Sequence, residues 1–183
     1  MRTNGLKKRS AASAPAAGSR SVRTKTPEQA AAVLMRLCAR AEKCESDARR
    51  LMRGWSVSDA DAERVLARLV GERFIDDARY AGAFVREKMR LSGWGEYKIR
   101  AVLQRKGIAR ATIDEALRAV DRSGMDDRLR AQLERKARTT KHATPYELKT
   151  KLIRYGLSLG YDYESVLDAA GSLVGNIDLC DEF

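Results

Sequence analysis

One histidine, three prolines and three cysteines are all that 183 residues contain of those types. Each scarcity excludes something. A lone imidazole, His142, cannot build a histidine-rich metal site. Cys38, Cys44 and Cys180 have neither zinc-ligand spacing nor a C-x-x-C pair. Their odd number, with no secretory leader, fits a reducing cytoplasm, and they read as small buried hydrophobes or inert thiols. No run of ~18 apolar residues occurs, so no membrane span is expected. The basic N-terminus lacks an apolar core segment and does not read as a signal peptide. No alternating strand pattern stands out. Also missing are G-x-x-x-x-G-K-[ST], H-E-x-x-H and G-x-S-x-G. The expectation is therefore no catalytic residue, no cofactor, no metal and no enzyme. Paired acids do occur, at Asp76 and Asp77, Asp126 and Asp127, and Asp181 and Glu182. At helix starts such pairs cap free N–H groups more readily than they do chemistry.

What the chain does have is charge and helix formers. Charged residues make up 33% and apolar ones 44%, enough for a core. Ala, Arg, Leu, Glu and Lys dominate, which favours helix. The net charge of +11 is uneven. Residues 1–25 carry Arg2, Lys7, Lys8, Arg9, Arg20, Arg23 and Lys25 and no acid, hence +7. The remainder holds 29 basic and 25 acidic residues, only +4. Residues 1–25 have no apolar periodicity and read as a disordered basic arm, either solubilising or phosphate-binding.

Beyond the arm, helix signals follow one another. Thr26 and Pro27 open the first helix, with Ala31, Leu34, Met35, Leu37 and Cys38. Ser46 is a candidate cap for a second, with Ala48, Leu51 and Met52. Ser58 starts a third, with Ala62, Val65, Leu66 and Leu69. Asp76 and Asp77 precede a helix with Tyr80, Ala81, Phe84, Val85 and Met89. Gly93, Trp94 and Gly95 break it. Ile99, Val102 and Leu103 mark the next, which ends near Gly107. Ile113, Ala116, Leu117 and Val120 mark another. Trp94 reads either as a wedge between helices or as an exposed contact.

The pattern repeats. Ala48, Met52, Ser56, Val57, Ala62 and Leu66 align with Ile99, Leu103, Gly107, Ile108, Ile113 and Leu117 at an offset of 51 residues. A further copy at an offset of 53 has Leu152, Gly156, Gly160, Tyr161, Val166 and Ala170. Its first helix is expected over 127–138, its second from Thr144 and Pro145 to about Leu159, and its third over 163–174. The expected fold is all-α: tandem three-helix, helix-turn-helix-like units in an elongated curved array. The expected divisions are the arm at 1–25, repeats at 26–72, 73–122 and 123–175, and a frayed tail at 176–183. Units this small bury little alone and stack on neighbours, offering an extended face to a large partner.

Three groups of cations are candidates for that face. Arg86, Lys88 and Arg90 follow one apolar stripe. Lys98, Arg100, Arg105 and Lys106 decorate the next helix. Lys149, Lys151 and Arg154 occupy the related helix of the last unit. They form either a solvated surface or a basic groove for phosphates or an acidic protein.

Residues 74–90, FIDDARYAGAFVREKMR, residues 93–108, GWGEYKIRAVLQRKGI, and residues 113–117, IDEAL, together resemble the RecX regulatory family. The likeness is weaker in SDARRLMRGW and in KTKLIRYGLSLGYDYESV, and it covers roughly residues 30–175. It leaves the basic arm outside. The resemblance implies a modulator of the RecA recombinase. Such proteins lie in the groove of the RecA–DNA filament and restrain its recombinase, ATPase and coprotease activities. It implies contacts to RecA and to single- or double-stranded DNA phosphates, in the cytoplasm, with a monomer expected and no membrane. Two other readings fit the residues: a stand-alone helix-turn-helix DNA-binding protein, and an interaction scaffold that uses no DNA.

Overall fold

The computed structural model describes residues 24–178, and within them nine helices and no strand. Most of the basic arm, Cys180 and the end of the tail lie outside the described residues. The helices are α1 Pro27–Cys38, α2 Glu45–Gly54, α3 Asp59–Gly71, α4 Asp77–Arg90, α5 Glu96–Arg105, α6 Arg110–Arg118, α7 Met125–Thr139, α8 Pro145–Leu159 and α9 Tyr163–Asp178. Helices pack most heavily within consecutive triplets, and each triplet has its own apolar cluster. The third helix of each unit touches both its partners, so every core is a small triangle of stripes.

The caps are local chemistry. Thr26 accepts from the Gln29 amide while the Gln29 side chain reaches back to the Thr26 N–H, a reciprocal pair with Pro27 on the first turn. Ser58 accepts from Asp61 and Thr144 from Glu147. Asp76 caps α4, accepting from the Arg79 amide at 2.9 Å.

The repeat registers down to the backbone. Ala48, Ile99 and Leu152 are each fully buried. So, within a few per cent, are Val57, Ile108 and Tyr161, then Ala62, Ile113 and Val166, then Leu66, Leu117 and Ala170. The turn before each third helix closes with the same bond: Val57 N–H to Met52 C=O (3.1 Å), Ile108 to Leu103 (3.2 Å), Tyr161 to Gly156 (3.5 Å). That closure needs a left-handed residue. Gly107 (φ 78°) and Gly160 (φ 89°) supply it without a Cβ, while Ser56 adopts it at φ 55° in the first unit. The apparent mismatch of Ser56 with Gly107 is thus a difference in residue, not in conformation.

Two details differ from the expectation. α2 starts at Glu45 with Cys44 at the cap position, and Ser46 does not cap it. The reason lies 32 residues away. Asp77 accepts from the Glu45 amide at 3.0 Å, so the second acid of the pair serves a helix of the neighbouring unit. Cys44 itself is fully buried in the second unit's cluster, and burial pushes its thiol up. α7 begins at Met125, two residues before the expected start, behind left-handed Gly124.

Candidate partner-binding face

Three aromatic side chains form a run across the second unit. Tyr80 and Phe84, one turn apart on α4, stack with centroids 5.9 Å apart. Phe84 meets Trp94 edge-on at 6.3 Å. Trp94 is half-buried, so it is a wedge with one side still reachable.

Three of the lysines nominated from sequence converge on this run. The Lys106 ammonium lies 5.3 Å from the Tyr80 centroid. Lys88 sits 5.5 Å from both Phe84 and Trp94, and Lys98 sits 4.5 Å from Trp94. Cation–π attraction holds the ammonium groups over the rings, and Lys88 and Lys98 keep N–H donors for an anion, whereas those of Lys106 are taken by Asp47 and Cys44. Lysines from two helices thereby act as one cationic stripe.

The ends of the stripe are tied to the neighbouring units. Lys106 grips both oxygens of Asp47 on α2 at 2.8 Å. Burial alone would push the Asp47 carboxyl up. The hydrogen bonds and charge of Lys106, with the Cys44 thiol bond, outweigh it and hold the group below its ordinary value. The Lys106 ammonium moves the complementary way: burial opposes its charge, and Asp47 raises it overall. At the other end Lys98 donates to the Ser158 carbonyl at 3.1 Å.

The remaining candidates separate by role. Arg100 bridges Glu96 at 2.8 Å and Asp114, fastening α5 to α6. Lys151 pairs with Glu147 at 2.6 Å and donates to the Lys141 carbonyl. Lys88 also meets its neighbour Glu87 at 2.7 Å. Arg86, Arg90, Arg105 and Arg154 are exposed and have no carboxylate partner among the described residues. Lys149 is half-buried and extends towards Gly171 on α9. The structure therefore brings Lys88, Lys98 and Lys106 onto one aromatic stripe. It leaves Lys149, Lys151 and Arg154 on α8 of the third unit. Among the described residues no cluster of three or more His, Cys, Asp or Glu side chains could hold a metal.

Sequence reading missed the residues that hold the face in place. Asp47, Asp77 and the Glu42–Arg79 pair (2.7 Å) reach across units between residues 32 to 59 positions apart. No fixed spacing marks such contacts.

Comparison with known proteins sets this face in context. Residues 76–117 match the second three-helix domain of RecX, and residues 125–169 match its third three-helix domain. The first of these runs from the α4 cap Asp76 to Leu117, the last buried residue of α6. The regulatory protein RecX of Chlorobaculum tepidum is 32% identical over 112 residues, covering 61% of this chain and 68% of that one. The chain belongs to the RecX family. A Pseudomonas putida (strain F1) RecX is 39% identical over 93 residues, covering 51% and 59%. A Clostridium botulinum (strain Eklund 17B) RecX is 32% identical over 111 residues, 59% of this chain and 50% of that one. The match thus spans about half the length of that clostridial relative. A crystal structure of regulatory protein RecX superposes with a TM-score of 0.68 at 21% identity, covering 76% and 70% of the two chains. RecX from Lactobacillus salivarius gives 0.63 at 18%, covering 84% and 97%. Both share the all-helical tandem fold of this RecX-family chain. These relatives are named for regulation rather than for a reaction. No helix among the described residues is long and apolar enough to cross a membrane.

Proposed function

We propose that this RecX-family protein is a negative regulator of the RecA recombinase, acting in the cytoplasm on the recombinase–DNA filament. The observation that carries the reading is the combination of family membership with a cationic, aromatic-backed stripe along α4 and α5 of the second unit. The protein lies as a monomer along the filament groove and spans neighbouring recombinase subunits. It restrains recombinase, ATPase and coprotease activities by binding one filament state better than the other, since a ligand shifts an equilibrium only through differential affinity. DNA phosphates, on single or double strands, meet Lys88 and Lys98 with the exposed Arg86, Arg90 and Arg105. Lys149 and Arg154 on α8 extend the contact into the third unit. Arg100, Lys106 and Lys151 hold the units in shape rather than reaching outward.

The test is the ATPase rate of purified RecA on single-stranded DNA with increasing amounts of this protein. Suppression well below one regulator per recombinase subunit is the expected result. No effect at excess, together with tight binding to naked duplex DNA, would replace this reading with a stand-alone DNA-binding protein.

A further inference from the structure

Where the second unit meets the third, a ring of contacts closes into one patch. The Gly93 carbonyl, next to Trp94 in the chain, accepts from the Gln132 side chain of α7 at 2.9 Å. Lys136 lies one turn further along α7, and its ammonium sits 5.5 Å from the Tyr155 centroid on α8. Three residues on, the Ser158 carbonyl accepts from Lys98 at 3.1 Å, and the same ammonium lies 4.5 Å from the Trp94 centroid. The patch thus holds two ring-and-lysine pairs, one on each unit. Main-chain bonds fix one pair against the other: the Gly95 amide donates to Leu159 at 2.8 Å and the Tyr97 amide to Gly160 at 3.0 Å.

The charge of this patch is unspent. Neither Lys98 nor Lys136 has a carboxylate partner among the described residues, and Lys88, which also reaches Trp94, has only Glu87. Gln132, Ser158 and the two rings are neutral. Lys136 is exposed, and Lys98, Trp94 and Tyr155 are half-buried. An ammonium on a four-carbon stem swings readily from a ring face to a stronger anion, and in doing so it uncovers the ring.

We infer that this patch is a stacking track for single-stranded nucleic acid that crosses from the second unit to the third. Lys98 and Lys136 take successive phosphates, and the bases between them lie on Trp94 and Tyr155. A duplex fits poorly, because its bases are stacked inside and leave both rings unused. An acidic peptide fits poorly too: its carboxylates have no flat surface to lay on a ring, and the negative ring face repels them. The main-chain bonds hold the two rings in place before the strand arrives, so little ordering is needed on binding. The inference rests on the nucleic-acid part of the function proposed above. It adds Lys136 and Tyr155 to the contact, and it gives that contact a preference for unpaired bases.

The chain has two tryptophans, so Trp55→Phe leaves Trp94 as the single fluorophore. The full chain with that substitution is titrated with an oligothymidylate of about 12 nucleotides, and with an abasic strand of the same length. The abasic strand keeps the phosphates, and with them any contribution of the basic arm, but has nothing to stack. The expected result is saturable quenching of Trp94 by the oligothymidylate and binding at least about fivefold weaker for the abasic strand. Tyr155→Leu should weaken the oligothymidylate by a similar factor and leave duplex binding unchanged. Lys136→Ala, at an exposed position, should keep the melting temperature and lower the slope of log affinity against log salt by about 0.7, one phosphate contact on a single strand; it carries the test of the third unit if Tyr155→Leu does not fold. Equal affinity for the abasic strand or for an oligoglutamate of the same charge, unaltered Trp94 emission at saturation, or indifference to Lys136→Ala overturns the track. RecA ATPase measured alongside tells the two failures apart: suppression that persists without these signals overturns the track alone, and loss of suppression in the wild type overturns the regulatory reading.

Discussion

The two joints between units are built from different materials. The first joins α2 and the loop before it to α4 and the end of α5 through side chains: Asp47 with Lys106, Glu42 with Arg79, and Asp77 on the Glu45 amide. The second is made largely of main chain. The Gly95 amide donates to Leu159 at 2.8 Å and the Tyr97 amide to Gly160 at 3.0 Å, while the Gln132 amide group donates to the Gly93 carbonyl at 2.9 Å. A backbone joint tolerates no side chain at its closest point and adjusts little. A side-chain joint leaves room for rotamers to shift and for a charged ligand to compete. The second and third units should therefore move together, with the first as the more mobile arm.

The strongest way to break that contrast is to put a methyl group into the backbone joint. A Cβ on Gly95 would lie 2.2 Å from the Gly160 carbonyl oxygen, and one on Gly160 would lie 2.4 Å from the Lys98 amide nitrogen. Gly160 also sits at φ 89°. Gly95→Ala and Gly160→Ala should each cost about 2–4 kcal/mol, as overpacking against backbone does. Denaturant unfolding measures the loss. Hydrogen exchange should show the Gly95 and Tyr97 amides losing protection first. Gly107→Ala is the control: its Cβ meets nothing within 4 Å, so only the φ of 78° is penalised. Its cost should stay near 1–2 kcal/mol. Equal losses at all three positions would mean that the second joint is no tighter than an ordinary turn.

The side-chain joint is probed by the Lys106–Asp47 pair, whose side chains are only 25% and 15% exposed. Lys106→Ala leaves Asp47 shielded from water with only Arg50, 3.6 Å away, and the Cys44 thiol as partners, and should cost about 1–2 kcal/mol. Asp47→Asn should cost less. A double-mutant cycle should find about 1 kcal/mol of coupling. No coupling would mean that the joint rests on the buried Cys44 plug rather than on charge.

The same pair sets a pH window. Asp47 is held below its ordinary value, so its contribution is complete above about pH 4 and lost as pH falls through the folded value. Lys106 is raised, so its contribution is complete below about pH 10 and lost as pH rises through the folded value. Asp77 runs the other way: burial pushes its carboxyl up, so it relieves strain on acidification. Stability of the first joint should be flat from about pH 5 to 9 and fall below pH 4, less steeply than Asp47 alone would give. An Asp47→Asn variant should flatten the acid limb.

Much of this is legible in the sequence. Apolar spacing marked the helices, and the offsets of 51 and 53 residues placed Ala48, Ile99 and Leu152 on equivalent core positions because a repeated turn forces a repeated register. Capping chemistry located Thr26, Ser58, Asp76 and Thr144 because a cap bonds within three residues of itself. The joints were not legible. Asp77 looked like a second cap for α4 because nothing in its neighbours points to the Glu45 amide. Lys106 looked like one more surface cation because its partner is 59 residues away. Local rules find elements; only the packed chain shows which charges are already spent.

That distinction gives the smallest structural effect and the cleanest functional test. Read from sequence, replacing Lys98, Arg100, Arg105 and Lys106 together with Ala should weaken filament binding at unchanged helicity. The structure divides the set. Arg100 and Lys106 fasten α5 to α6 and α5 to α2, so their loss should change stability as well as binding. Arg86→Ala and Arg105→Ala should shift stability by no more than about 0.5 kcal/mol, as exposed side chains without ion-pair partners do. Each should nonetheless weaken filament binding if it meets a phosphate. The slope of log affinity against log salt should then drop by about 0.7–0.9 for each contact removed. Melting curves and a salt titration on the same two variants separate the roles. An unchanged salt slope in both would move the nucleic-acid contact away from α4 and α5, towards Lys149 and Arg154 on α8.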